Sequence, residues 1–361
     1  VILSGGGTGG HIFPAVAVAN HIRDNYPEAE ILFVGAKGKM EMTRVPEAGY
    51  EIIGLNISGL QRRLTLENLL FPLKVISSFM ASLRIIKSFK PDVVVGFGGY
   101  ASSPITLAAS RKKIPVVLQE QNSYAGLANK SVAKNASRIC VAYQGMEKFF
   151  PADKIVLTGN PVRSAISSVT NERAAGIEAF DLDPHKKTIL VIGGSLGART
   201  LNESVIAHID EIQQSGYQLI WQCGSYYYKN MAEQLAQFDA PNVHLLEFIK
   251  NMDMAYAAAD IVISRAGALT ISELCVVGKP VVFVPSPNVA EDHQTKNAEA
   301  LVAKGAGIIV SDKDAPNMLI STAFEVLADE DRASAMAKNI KLLARPNAAE
   351  DITNEVLSLV S

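Results

Sequence analysis

Apolar residues along the chain fall into two recurring forms. Short runs such as Val93-Val94-Val95 and Ile189-Leu190-Val191-Ile192 are bounded by glycine, proline or polar residues, and between them lie longer stretches with helical spacing. Short apolar runs alternating with helical stretches predict a parallel sheet with crossover helices, an α/β fold. In the first half the strands are expected at Val1–Leu3, Ile31–Gly35, Glu51–Leu55, Asp92–Phe97, Pro115–Gln119, Ile139–Ala142 and Ile155–Leu157. In the second half they are expected at Thr188–Ile192, Gln218–Gln222, Val243–Glu247, Asp260–Ser264, Pro280–Val284 and Gly307–Val310.

The pattern restarts after Thr158-Gly159-Asn160-Pro161-Val162-Arg163, whose glycine and Asn-Pro disfavour helix and strand alike and read as a hinge. With 361 residues, two domains are expected: residues 1–160 and 161–344. Residues from about 345 to 361 carry helical periodicity (Ile352, Val356, Leu357, Val360) and are assigned back to the first domain.

Composition narrows the function without naming it. With 34 basic and 36 acidic residues, the balance argues against a nucleic-acid partner. Cys140, Cys223 and Cys275 stand far apart in apolar surroundings and read as core residues of a reduced, cytosolic protein. A charged-then-apolar leader and an apolar run of about 18 residues are both missing, so neither secretion nor a membrane span is expected.

Candidate chemistry gathers in glycine stretches that follow strands. Ser264-Arg265-Ala266-Gly267-Ala268-Leu269-Thr270-Ile271-Ser272-Glu273 leads from one strand into a helix. A helix start presents open backbone N–H groups and a positive dipole end, which suits a phosphate. Glu273, one turn further in, suits a pair of neighbouring hydroxyls. Thr270-x-x-Glu273 also matches a capping box, which would satisfy only the helix itself. Gly5-x-Gly7-x-x-Gly10 matches the dinucleotide fingerprint, but the strand that should end in a ribose-binding acid ends in Gly35-Ala36-Lys37, which argues against NAD. Further glycine loops occupy 96–100 and 193–199, and none fits the P-loop pattern.

Several of these stretches together resemble one family. The runs GGGTGGHIFPA from Gly5, GFGGYASSP from Gly96, LQEQNSYAGLANK from Leu118, GNPVR from Gly159, GGSLGARTLN from Gly193 and SRAGALTISEL from Ser264 are similar, in order, to the MurG family of bacterial glycosyltransferases. The resemblance implies a GT-B fold, two Rossmann-like domains facing a central cleft. It implies inverting transfer of N-acetylglucosamine from UDP-GlcNAc, with no tightly bound cofactor, to the C4 hydroxyl of undecaprenyl-diphospho-N-acetylmuramyl-pentapeptide, converting lipid I to lipid II in peptidoglycan synthesis. A UDP-N-acetylglucosamine 2-epimerase, or another sugar-nucleotide enzyme of the same fold, is the alternative.

Site residues carry over by position. On the donor side the resemblance implies Ile249 at the uracil through its backbone, Glu273 at the ribose, and Ala268, Leu269, Thr270, Arg163 and Ser195 at the diphosphate. His293 and Gln294 are implied at the sugar, although the family commonly has a second glutamine where His293 stands. Thr8, Gly9, Gly10 and Asn122 are also placed with the donor, and Gly98, Gly99, Tyr100 and Gln121 on the acceptor side. His11 is the candidate base, because histidine's unperturbed pKa lies near neutrality and the residue stands at a helix start, and a binding role is equally open to it. Glu120 is an alternative base or an organiser of its loop. Asp181-Leu182-Asp183 looks like a metal-binding DxD but precedes a strand, and no protein-held metal is expected.

The lipid substrate implies an anionic membrane surface, attachment at the cytoplasmic face of the bacterial inner membrane, and possible contacts with other cell-wall and division proteins. The apolar stretch Leu64–Phe89, interleaved with Arg62, Arg63, Lys74, Arg84 and Lys87 and followed by Arg111-Lys112-Lys113, fits an interfacial helix. A helix packed on the sheet would show much the same pattern.

Overall fold

The structure, a computed structural model, describes residues 1–58, 71–163, 166 and 173–360. The chain divides into two compact units, residues 1–162 with 346–361 and residues 163–345. In the first, β1 (Ile2–Ser4), β2 (Leu32–Ala36), β3 (Glu51–Leu55), β4 (Val94–Gly96), β5 (Val116–Glu120), β6 (Arg138–Val141) and β7 (Ile155–Leu157) form one parallel sheet in the order β3-β2-β1-β4-β5-β6-β7. Its inner strands β1, β2, β4 and β5 are buried on both faces, which is why they read as short unbroken apolar runs, whereas the edge strands β3 and β7 are partly exposed. Alternate residues enter opposite cores: Leu3, Val93 and Val95 pack with Ile12, Val18 and Ile22, whereas Ile2 and Val94 pack with Ile86, Ile105 and Ala108.

Three helices of this unit matter for function: α1 (Gly9–Asn25), α2 (Glu41–Glu47) and α3 (Phe71–Phe89). The first half of α3 is turned inside out relative to a core helix. Leu73 and Ile76 are 63% and 60% exposed, while Ser78 and Ser82 face inward. Ser78 donates to the Asn56 carbonyl (3.1 Å), and Ser82 donates to the Ser78 carbonyl (2.8 Å). The core reading of this stretch is therefore corrected for Leu73, Val75, Ile76 and Met80, which are exposed, whereas Phe79 and Ala81 pack against the core. Ile85 and Ile86 are buried in the same core. Arg62, Arg63, Leu69 and Leu70 lie outside the described residues. The helix Ala348–Leu357 belongs to this unit, with Ile352 and Val356 fully buried beside α1 and Glu355 paired to Arg138 at 3.3 Å.

The second unit repeats the scheme. β8 (Thr188–Ile192), β9 (Gln218–Gln222), β10 (Val243–Leu246), β11 (Ile261–Ser264), β12 (Val281–Phe283) and β13 (Ile308–Ile309) form a parallel sheet in the order β10-β9-β8-β11-β12-β13. The helices that bear on function are α4 (Arg199–Ala207), α5 (Ala268–Val277) and α6 (His293–Val302). Trp221 is fully buried, and its indole N–H reaches Asn202 Oδ1 at 3.0 Å.

In each sheet the strand order reverses once, between β1 and β4 and between β8 and β11. Ligands of open α/β sheets bind beyond the carboxyl ends of strands at such reversals. The glycine stretches singled out in the sequence are the loops that leave β1, β4, β8 and β11. Within each unit, taken by itself, the glycine loops lie where this topology forms a site.

Candidate active site

In the second unit the site is built around the start of α5. Gly267, in extended conformation (φ −66°, ψ 143°), is the residue before the helix, and Ala268, Leu269 and Thr270 form its first turn with amides directed out of the helix end. The capping-box reading is thereby corrected. Thr270 stands inside the helix, three residues past the capping position, and Glu273 lies in the second turn, too far along to cap it.

Glu273 is buried, and its carboxylate is gripped by a forked guanidinium. Arg163 Nε reaches Oε1 at 2.6 Å and Nη2 reaches Oε2 at 2.8 Å. Tyr256, fully buried, donates its hydroxyl to Oε2 at 3.4 Å. Burial, and then the Glu273 charge, push that phenol well above its usual range, so it remains a donor. The bond to Glu273 likewise raises Arg163 above its ordinary value. The guanidinium and carboxylate that the resemblance sends to diphosphate and ribose hold each other here. Because the Arg163 side chain is 52% exposed, it has the freedom to change partners.

A cavity of about 570 Å³ opens beside this helix start, lined by the third glycine loop, Thr270, Arg265, Gln294, Ser286 and Asp312. Gln294 accepts the N–H groups of Ala266 (3.2 Å) and Ser286 (2.9 Å) through Oε1. Both partners can only donate, so the amide is oriented with its NH2 as the group offered to a ligand. His293 lies at the start of α6 with Nε2 3.3 Å from Glu291, and Glu291 and Asp292 both adopt positive φ. Ser195 sits in the third loop and its carbonyl accepts the N–H of Ser225 at 3.2 Å. Ile249 donates its backbone N–H to Gln222 at 2.9 Å, so of its two backbone groups the carbonyl is the one to offer a base.

Arg265 and Asp312 form an ion pair in this cavity at 2.5 Å. Arg265 also donates to the Val284 and Pro285 carbonyls, and Thr200 donates to the other Asp312 oxygen at 3.0 Å. Asp312→Ala leaves a largely buried guanidinium with carbonyl partners alone. It is expected to lower stability by about 2 kcal/mol, the pair being part-solvated. Calorimetric melting checks this, and an unchanged melting temperature would refute the strut.

In the first unit, Thr8 precedes α1 and its hydroxyl lies 3.0 Å from His11 Nδ1, which is also 3.2 Å from the Gly6 carbonyl. A carbonyl can only accept, so that contact places the proton on Nδ1 and the lone pair on Nε2, the form a base requires. Gly9 and Gly10 open the helix. Gly98 (φ +89°) lies against the His11 ring and Gly99 (φ +76°) against the Gly6 carbonyl; both adopt positive φ, and at Gly99 a side chain would collide with that carbonyl. Burial, and then Glu41, raise the Tyr100 phenol above its usual value.

Two site candidates are engaged by protein partners. Glu120 is buried and accepts N–H groups from Asn122, Gly126 (3.0 Å) and Asn129 (2.9 Å). Burial pushes its carboxyl up while these donors pull it back. A carboxylate so enclosed holds its loop, Asn122 included, as the organiser alternative requires. Gln121 is 1% exposed and donates to the Phe97 carbonyl at 2.7 Å, so it braces the second glycine loop from behind.

Two family models describe this chain, the glycosyltransferase family 28 N-terminal domain over residues 1–141 and the family 28 C-terminal domain over residues 188–352. Proteins of Parabacteroides distasonis (51% identical over 100% of this chain and 98% of that one) and Bacteroides fragilis (53%, 99% and 95%) carry the name UDP-N-acetylglucosamine–N-acetylmuramyl-(pentapeptide) pyrophosphoryl-undecaprenol N-acetylglucosamine transferase. The crystal structure of Acinetobacter baumannii MurG matches with a TM-score of 0.82 at 31% identity, over 99% of both chains. This chain belongs to the MurG family. Its two Rossmann-like units are those of the GT-B glycosyltransferases. A Neisseria meningitidis UDP-GlcNAc 2-epimerase bound to UDP-GlcNAc shares this fold at 17% identity and a TM-score of 0.66.

Several residues of this MurG-family chain escaped the sequence reading. Glu41, fully buried, accepts Gly7 N–H and Ala36 N–H, each at 3.0 Å, and fills space that side chains at Gly6 and Gly35 would need. An acid therefore does follow β2, but it is turned into the protein. Asp183, of the DxD look-alike, accepts the N–H of His185 at 2.9 Å. Glycines at 6 and 35 were the available signal for a close approach. For Arg265, Asp312, Tyr256 and Gln222 no local pattern existed.

Proposed function

We propose that this chain transfers N-acetylglucosamine from UDP-GlcNAc, with inversion, to the C4 hydroxyl of undecaprenyl-diphospho-N-acetylmuramyl-pentapeptide. The observation that carries this reading is the full-length identity of just over half with relatives bearing that name, combined with Glu273 buried one turn behind an open helix start. The second unit takes the donor. Glu273 accepts the ribose hydroxyls once Arg163 swings to the diphosphate. The amides of Ala268 to Thr270 stabilise the leaving charge, and the Gln294 NH2 reaches the sugar. The first unit takes the acceptor, and His11 Nε2 removes the proton of the attacking hydroxyl.

The reading also places the first unit on an anionic membrane, at the cytoplasmic face. No described helix is long and apolar enough to cross a membrane. Leu73, Ile76 and Met80 point outward from α3. A groove of about 520 Å³ nearby is lined by Met80, Leu83 and Ile114 with Arg84, Lys87 and Lys112. Apolar side chains ringed by cations suit an interfacial helix.

Incubation with radiolabelled UDP-GlcNAc and a lipid I analogue is expected to yield an acceptor-linked disaccharide. Epimerised or free sugar as the sole product would replace this function with the epimerase alternative or with a hydrolase.

A further inference from the structure

Gln222 ends β9 beneath the donor loops and is 2% exposed. Its Oε1 accepts the Ile249 N–H at 2.9 Å, and its Nε2 donates to the Gly194 carbonyl at 3.0 Å. The surrounding backbone is equally close. Gly193 N–H reaches the Gln222 carbonyl (3.2 Å), and Gly197 lies against the Cys223 carbonyl. Cys223 and Gly224 in turn donate to Leu246 and Glu247. The third glycine loop and the 247–249 segment thus both lean on residues 222–224, and the Gln222 amide ties one to the other.

We propose that Gln222 is a positioning residue that sets the spacing between the base subsite at Ile249 and the diphosphate subsite at Ser195. The inference rests on the donor reading given above. A side-chain amide presents one acceptor and one donor at fixed separation, which the pair of partners requires. Methionine fills the space without either bond. A carboxylate retains the bond from Ile249 but opposes the Gly194 carbonyl, oxygen against oxygen. Protonated, the same glutamic acid donates to Gly194 and imitates the amide.

The test measures UDP and uridine binding by calorimetry for the native chain, Gln222→Met and Gln222→Glu at pH 8 and pH 5.5. Gln222→Met is expected to weaken UDP about tenfold at both pH values, because a ligand spanning both subsites senses their spacing, and to leave uridine within about twofold. Gln222→Glu is expected to match that loss at pH 8 and to recover most of it at pH 5.5. Each ratio is taken against the native chain at the same pH, so titration of the nearby Cys223, Tyr227, His244 and Glu247 cancels. UDP binding unchanged in both variants overturns the proposal. So does an equal loss for UDP and uridine with a fallen melting temperature, which marks a merely structural bond. A native chain that fails to bind UDP removes the donor reading itself, and this inference with it.

Discussion

Glu273→Gln is expected to weaken UDP about 100-fold, equivalent to about 2.7 kcal/mol, while shifting the melting temperature of the ligand-free protein by no more than a few degrees. A carboxylate accepting two hydroxyls forms two charge-assisted hydrogen bonds, and an amide retains one neutral acceptor. The stability cost is small for a different reason. Arg163 is half exposed and returns to water when its partner loses charge, and the replacement leaves no buried charge behind. A large fall in melting temperature with unaltered UDP binding would make Glu273 a structural anchor for Arg163 and Tyr256. Calorimetric titration and thermal melting on the same preparation separate the two outcomes.

Glu41→Ala is expected to act on the other unit. Removing the carboxylate leaves the Gly7 and Ala36 N–H groups buried without their acceptor and opens a void beneath Gly6 and Gly35. Each orphaned donor costs about 1–3 kcal/mol, so a loss of about 3 kcal/mol in stability is expected. The loop it supports carries Thr8 and His11, where displacement of about 1 Å lowers turnover on the order of 100-fold. Affinity for UDP without its sugar, which the proposed reading assigns to the second unit, is expected to stay within about twofold of native. Parallel loss of UDP binding and turnover would contradict the division of donor and acceptor between the units.

The strands and glycine loops were legible because their signals are local: an apolar run bounded by breakers, or a glycine directly after it. Every expected strand is present, with ends shifted by a residue or two. The pairing of Arg163 with Glu273 spans 110 residues, and the Gln222 bonds to Gly194 and Ile249 span 28 and 27, distances at which no periodicity informs. The capping box failed because Gly267, lacking a side chain, took the capping position and shifted the frame. For α3 the pattern carried two meanings, and the Asn56 carbonyl, satisfied by Ser78, is associated with the serine face turning inward. Glu120 and Gln121 stand in a polar run that reads as a ligand loop, yet both are buried at the end of an interior strand, Glu120 against Gly126 and Asn129 and Gln121 against the Phe97 carbonyl.

The return of the last helix to the first unit has a consequence for the order of assembly. Ile352 and Val356 complete a core that Leu3, Ile12 and Ile22 begin, so that core stays open while residues 163–345 are made. At a synthesis rate of about 5–20 residues per second, the nascent first unit exposes this apolar seam for about 10 to 40 s. The second unit, contiguous in sequence, can close before the first does. A chain stalled or cleaved just short of residue 350 therefore retains the complete second sheet and a first unit whose α1 lacks its cover.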